Sequence, residues 1–437
     1  MKKASKSVIF KEDNEIKQVC MSFAAGMNDG GVLVTMNKLR FVGAVLLLAL
    51  CVSLVAGAAP MTTNETTMPR AGSTGAHGSN EIIEGKSPLT GLSWSGTYRP
   101  ILVQINNAIE ARPHWNLSEA DIVYESLLWG PGHTRYTAVY NSNYPEIVGS
   151  VRSARVHHCE LREEWDAPLV FYGGQQDQGT NIYEFMKAQS VPKELQIDGT
   201  RGGSKALSRD SSRVSPHNAV VNLAMLSSEL WPTQEDGSPY QPRQHAMKFA
   251  STPTRGIDTA KEIHLVYGEQ EGDKAKGYVN NKYYPHYTFN PAERVYERWY
   301  NGEEMVDGKS GKRIVASNVI VQYTEMEYVM KIPSRPKINT IGGGVMDAFI
   351  DGQHIRGTWE RNTFSDRTVF MDASGEELTL LPGQTYIQII PTDMSYWYVQ
   401  DDGTEVEVNY GSEVRAIEID TSISDEDINK MDEGEVE

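Results

Sequence analysis

Cysteine is scarce in this chain. Its 437 residues hold three, Cys20, Cys51 and Cys159, and only Cys159 lies in the long body after the N-terminal apolar stretch. One thiol cannot close an internal disulfide, so that body must stand on its core. Positive charge is also short: Lys and Arg number 41 against 58 Asp and Glu, a net charge of -17. Nucleic acid needs a basic face, so the acidic balance argues against it as a partner. It also disfavours loose adsorption on anionic lipid. Familiar catalytic motifs are missing, with no Walker loop, no G-x-S-x-G and no H-E-x-x-H. His157 and His158 lack a third ligand at a recognisable spacing, so neither a metal nor another cofactor is expected. Gly342-Gly343-Gly344 lacks the strand-helix context of a nucleotide loop and reads as a β turn.

Residues 41–59 form a long uncharged run, preceded by Lys38 and Arg40 and ending in Ala56-Gly57-Ala58. Charge, apolar stretch and small-residue exit make residues 36–60 an export signal. The stretch is near the roughly 20 residues that span a bilayer, which leaves cleavage and a retained signal anchor both open. Either way the rest of the chain passes outside. It is expected to be membrane-anchored on the outer face of the cytoplasmic membrane, or secreted. Residues 1–35 fit this signal poorly. They are a misassigned upstream extension, with Met36 as initiator, or a cytoplasmic tail. Residues 61–88 are rich in Thr, Ser, Gly and Asn and read as a flexible linker. Residues 416–437 read as an acidic disordered tail.

The body divides by texture. In 89–245, strand patterns at 101–105, 122–128, 136–141, 146–151 and 169–172 mix with helical spacing at 160–165, 181–188 and 218–230. The expectation is an α/β N-terminal domain, a mixed sheet with helices. In 246–415, short strand patterns follow one another, separated by turn signals such as Asn301-Gly302 and Asp351-Gly352. This predicts a mostly antiparallel β domain. Tyrosine is plentiful, at 21 against 10 phenylalanines, which suits strands and ligand-facing surfaces. Around Trp359, His354, Trp397 and Tyr398, an aromatic face would suit sugar rings or peptide, with ordinary core packing as the alternative.

The candidate site is a set of arginines at strand ends: Arg112, Arg135, Arg152 and Arg155. Guanidinium forks match carboxylate and phosphate oxygens, so an acidic protein that gathers them suggests an anion pocket. Structural ion pairing is the competing account. Asn106 follows the first strand. Glu125 sits inside the second, where it needs a partner, and Arg112, Arg135 or Arg152 is the natural one. His217 and Asn218 enter the helix expected at 218–230, where a helix N-terminus suits an anion. Binding an anionic envelope component or wall precursor is the first functional expectation. Phosphoryl or glycan transfer on such a precursor is the second.

Several blocks carry a family resemblance. They are SPLTGL from Ser87, RPILVQINNAIEARP with EADIVYESL, HTRYTAVY leading to VGSVRSAR, VSPHN, GGGVMDAFIDGQHIRGTWER and LLPGQTYIQIIP. In order and wording, residues 87–391 resemble the YerB-like family of bacterial lipoproteins, built from two adjoining domains of unknown function. The resemblance implies an extracytoplasmic, membrane-attached protein and implies no activity. Lipidation is expected at a cysteine after a small residue, whereas Leu50 precedes Cys51 here. A weaker architectural similarity links ADIVYE, VGSVRSAR and APLVFYGG to the LytR-CpsA-Psr phosphotransferases. Their Arg-Asp pairing is replaced here by Ala154-Arg155.

Overall fold

The computed structural model describes residues 80–129, 133–177, 179–267, 284–328, 336–392 and 394–409. The expectations for 1–35, 36–60, Cys51 and 416–437 lie outside them. Of the linker expected over 61–88, residues 80–88 lie among the described residues. From Asn80 the chain is already bonded, through Asn80 Nδ2 to Glu377 and to the Ala246 carbonyl, and Ser87 is buried. Among the described residues no helix is long and apolar enough to cross a membrane.

The first half supplies strands β1 (Ile101–Asn106), β2 (Ile122–Trp129), β3 (His133–Tyr140), β4 (Leu169–Phe171) and β5 (Gln196–Asp198). Its helices are α1 (Val156–Trp165), α2 (Ile182–Ala188) and α3 (Leu223–Ser228). The second half supplies β6 (Glu262–His264), β7 (Pro285–Asn290), β8 (Val295–Tyr300), β9 (Asn318–Thr324) and β10 (Gly342–Ile350). It continues with β11 (Gln353–Arg361), β12 (Val369–Asp372), β13 (Thr385–Pro391), β14 (Tyr396–Val399) and β15 (Glu405–Val408).

The main sheet runs β12-β11-β10-β9-β13-β2-β3-β1-β4-β5. It is mixed: β13 lies parallel to both β9 and β2, and β4 parallel to both β1 and β5. A second sheet runs β8-β7-β6-β14-β15 and is antiparallel throughout. The expected classes therefore hold, a mixed sheet with helices and then a mostly antiparallel part. Between 89–245 and 246–415, however, the main sheet is continuous. Residues 122–126 of β2 pair in register with residues 385–389 of β13.

Strand alternation sorts the core into two faces. Ile101, Val103 and Ile105 of β1 share a cluster with Val123, Ala138, Ile263, Tyr287 and Tyr296, on the side of the second sheet. Leu102, Ile122, Tyr124 and Val139 share the other with Leu161, Trp165, Ile182 and Met186 of the helices. Both faces of β1 are covered, which is why residues 101–105 are apolar at every position except Gln104, whose amide bonds to Thr137. Each such aliphatic side chain contributes about 1.5–3 kcal/mol by burial.

Two expected elements differ. Residues 218–230 open as the strand Ala219–Val221 and only then turn helical, because Asn222 caps α3 by accepting from the Met225 N–H at 2.8 Å. Gly342-Gly343-Gly344 begins β10 and is not a hairpin turn. Gly344 is required by close approach: a Cβ there would lie 2.7 Å from the Trp359 indole nitrogen and 2.8 Å from the Tyr323 carbonyl.

Glu125 points to the second-sheet side. Its Oε2 accepts from Arg298 Nη2 of β8 at 2.5 Å, and both side chains are fully buried. Rings of Tyr136, Tyr287, Tyr300 and Tyr386 surround that guanidinium, with centroids 4.9 to 5.8 Å away. Burial pushes their hydroxyls up, so they remain neutral. On the second sheet, register partners Trp397, His264, His286 and Trp299 stack in a row, at 4.8, 5.5 and 5.7 Å between centroids. Their planes are within 13° of parallel, so each ring gives its faces to its neighbours and its edge outward.

Removing one partner of the buried pair strands the other charge. Arg298→Met is therefore expected to cost about 3–5 kcal/mol. Combining it with Glu125→Gln is expected to recover part of that loss, and a double-mutant cycle by urea unfolding checks both. The ladder adds a pH dependence. Burial pushes His264 down to about 4 although Glu262 lies 3.1 Å from its Nε2, and burial with the neighbouring His264 holds His286 at about 4. The ordinary value is 6.5, so folding favours the neutral rings. Their stabilisation is complete above pH 6.5 and is lost as pH falls towards 4. Melting temperatures of the wild type should drop over that window more steeply than those of a His264→Phe/His286→Phe variant.

Candidate functional site

Consecutive residues of a strand point to opposite faces, and this separates residues that the sequence grouped together. Glu125 is opposite Tyr136 on β3, and Ser126 is opposite Arg135. Asn106 of β1 is also opposite Arg135. Arg135 thus belongs to the helix side with Ser126, while Glu125 belongs to the other side. The expected partners of Glu125 were Arg112, Arg135 or Arg152; its partner is Arg298. Asn107, Thr134 and Tyr300 fill its other oxygen, with Thr134 Oγ1 donating at 2.6 Å.

On the helix side the chain between β3 and α1 builds a second cluster. Residues 151–154 thread between the ends of β1 and β4: the Arg152 N–H donates to the Gln104 carbonyl at 2.9 Å, and the Tyr172 N–H donates to the Arg152 carbonyl at 3.0 Å. This seats Ser153 in front of Arg135, whose Nη1 donates to the Ser153 carbonyl at 2.5 Å and to Oγ at 3.1 Å. Arg155, the N-cap of α1, reaches the same Oγ at 3.5 Å and the Ala154 carbonyl at 3.1 Å. Two guanidiniums from different elements therefore meet at one serine, each 1% exposed. They stand where β1 and β4 end, the edge at which open α/β sheets take ligands.

The first turn of α1 brings two histidines to them. His157 Nε2 lies 3.0 Å from Ser126 Oγ, and the His158 ring meets the His157 ring edge-on at 4.0 Å. Burial first, then Arg155 and Arg135, push His157 down to about 3. Burial, His157 and the same arginines hold His158 well below its ordinary value. Both rings are neutral at physiological pH. From the sequence, these histidines are weighed as zinc ligands and as neighbours of Cys159, and not as members of the arginine cluster. Among the described residues there is no group of three metal-ligating side chains. A signal was available in VHHCELREEW, a helix with no single apolar face whose polar residues are nearly all buried.

Other predicted residues fall close by or elsewhere. Arg112 lies over the Tyr300 ring at 3.9 Å and donates to the Asn107 carbonyl at 2.8 Å, on the Glu125 side. Arg152 is buried, held by the backbone bonds above. Asn106 Nδ2 and His217 Nδ1 are 3.0 Å apart. His217 and Asn218 precede a strand, not the expected helix, so no helix N-terminus supports them; Asn218 Oδ1 accepts from Arg209 at 2.7 Å. Trp359 is 1% exposed and donates to the Tyr323 carbonyl, which makes it core. Cys159 is buried and its thiol pushed up, so it is unreactive. A cavity of about 290 Å³, lined by Ile83, Pro88, Met247, Phe249 and Pro382 among others, contains none of the predicted residues.

α1 itself is clamped by the second half. Thr340 donates to Glu160, Arg361 donates to the Glu160 carbonyl at 2.7 Å, and the Thr368 N–H donates to Glu164 at 2.8 Å.

Comparison with known proteins agrees with this shared construction. Residues 89–235 match the family described as "Protein of unknown function (DUF3048) N-terminal domain", and residues 275–387 match its C-terminal domain. A Bacillus subtilis (strain 168) protein described as "Putative lipoprotein YerB" is 26% identical over 309 residues, covering 70% of this chain and 86% of its own length. The crystal structure of YerB from Bacillus subtilis superposes with a TM-score of 0.58 at 24% identity, covering 70% of this chain and 96% of that one. With both halves matched in order, the chain belongs to the YerB-like family.

Proposed function

We propose that this protein is exported, held at the cell envelope, and binds an anionic envelope component through Arg135 and Arg155. The meeting of these two guanidiniums at Ser153 carries the reading, since a pair of fixed positive charges behind one hydroxyl suits an oxyanion. Asn106, Arg152, His217 and Asn218 stand along the same end of the strands as its rim. Glu125 and Arg112 serve from the opposite face by fixing β2 and the turn after β1. Export rests on the pattern of residues 36–60 and on the lipoprotein description of the Bacillus relative.

Transfer chemistry on a wall precursor is the second reading, favoured by the 3.0 Å approach of Ser126 Oγ to His157 Nε2. A ring held near 3 is a weak base at neutral pH, which ranks binding first.

Thermal-shift and calorimetric titration of the full-length protein with soluble wall fragments and phosphate-bearing wall polymers test the proposal. Arg135→Ala and Arg155→Ala are each expected to weaken a hit about 10- to 100-fold, the worth of a charged hydrogen bond. Arg112→Ala is expected to leave it in place. A hit undiminished in both Arg135→Ala and Arg155→Ala would sink the assignment.

A further inference from the structure

The Arg155 backbone N–H donates to His158 Nδ1 at 2.9 Å. A backbone amide only donates, so Nδ1 holds a lone pair and the neutral ring carries its proton on Nε2. That Nε2 is buried and has no hydrogen-bond partner, on a side chain with no exposed surface. An unsatisfied buried donor costs about 1–3 kcal/mol. The charged neighbours acting on the ring are Arg135 and Arg155, with His157 beside them. A buried donor without an acceptor, next to two guanidiniums at the start of a ten-residue helix, is placed to meet an anion.

Resting on the anion-binding reading above, we infer that this cluster takes a tetrahedral phosphate monoester, with His158 Nε2–H as a third donor beside Arg135 and Arg155. The reason is directional. Arg135 comes from β3, Arg155 from the cap of α1, His158 from its first turn and Ser126 from β2. A carboxylate offers two oxygens in one plane, which a single fork saturates. A phosphate monoester offers three oxygens around a tetrahedron and nearly two negative charges, and so accepts from donors on several elements.

Isothermal titration of the full-length protein compares inorganic phosphate, malonate as a carboxylate dianion, and vesicles containing phosphatidic acid. Phosphate is expected to bind at least about tenfold more tightly than malonate. His158→Phe is expected to remove about tenfold in phosphate affinity, one charged hydrogen bond, and His158→Gln, which keeps an N–H, to restore part of it. Tighter binding of phosphatidic acid than of inorganic phosphate would make the source a lipid headgroup; equal binding would make it a soluble phosphate. Should the variants fail to fold, histidine side-chain ¹H–¹⁵N spectra of the wild type give the answer: the His158 Nε2–H signal moves on adding phosphate and not on adding malonate. Equal affinity for malonate, or an unmoved signal while Arg155→Ala still abolishes binding, overturns the phosphate assignment and leaves the anion site standing. Absence of binding by every anion, wall fragments included, removes both.

Discussion

The parallel pairing of β2 with β13 fixes most of what the rest of the molecule does. With β3 on its other edge, β2 is locked in register from both sides, and a one-residue slip would exchange every side chain between faces. Glu125 and Ser126 are adjacent in sequence, yet this register sends one to the antiparallel sheet and the other to the helices. Two polar clusters follow, one on each face. The Glu125–Arg298 pair is enclosed by tyrosines that hold donors and rings against it. The Arg135–Arg155 cluster shares a serine and abuts a histidine whose proton has no acceptor.

Much of the local structure was legible. The mainly apolar run of β1 and the pattern of β2 mark strands buried on both faces, and Asn181 marks the start of α2, where it accepts from two backbone N–H groups. What was not legible lies at long range. Arg298 is 173 residues from Glu125, and β13 more than 250 residues from β2, so no local period announces either contact. At 218–230 two short elements with an internal Asn cap imitate one helix. At 342–344 three glycines imitate a turn because the demand for space comes from Trp359, a residue of the neighbouring strand.

The site was legible in residue type and only partly in grouping. Arg135 and Arg155 do come together. Glu125 is separated from them by a register shift between Leu127 and Trp129: a regular hairpin counted from Trp129 opposite His133 would set Leu127 opposite Arg135 and leave Glu125 and Arg135 on one face. Nor was His158 legible, because its significance is a hydrogen bond that Nδ1 accepts and a partner that Nε2 lacks.

The two clusters differ in what they demand energetically. A buried ion pair with good geometry and satisfied lone pairs offsets most of its own desolvation, so Glu125 and Arg298 need nothing further from the protein. Two guanidiniums brought to one serine require desolvation, and the imidazole N–H without an acceptor adds to that cost. The fold sustains that arrangement because α1 is anchored elsewhere, by Thr340, Arg361 and Thr368 of the second half. The two halves are thus bound in one division of labour. The first contributes the cationic side chains, and the second supplies the contacts that keep their helix in place.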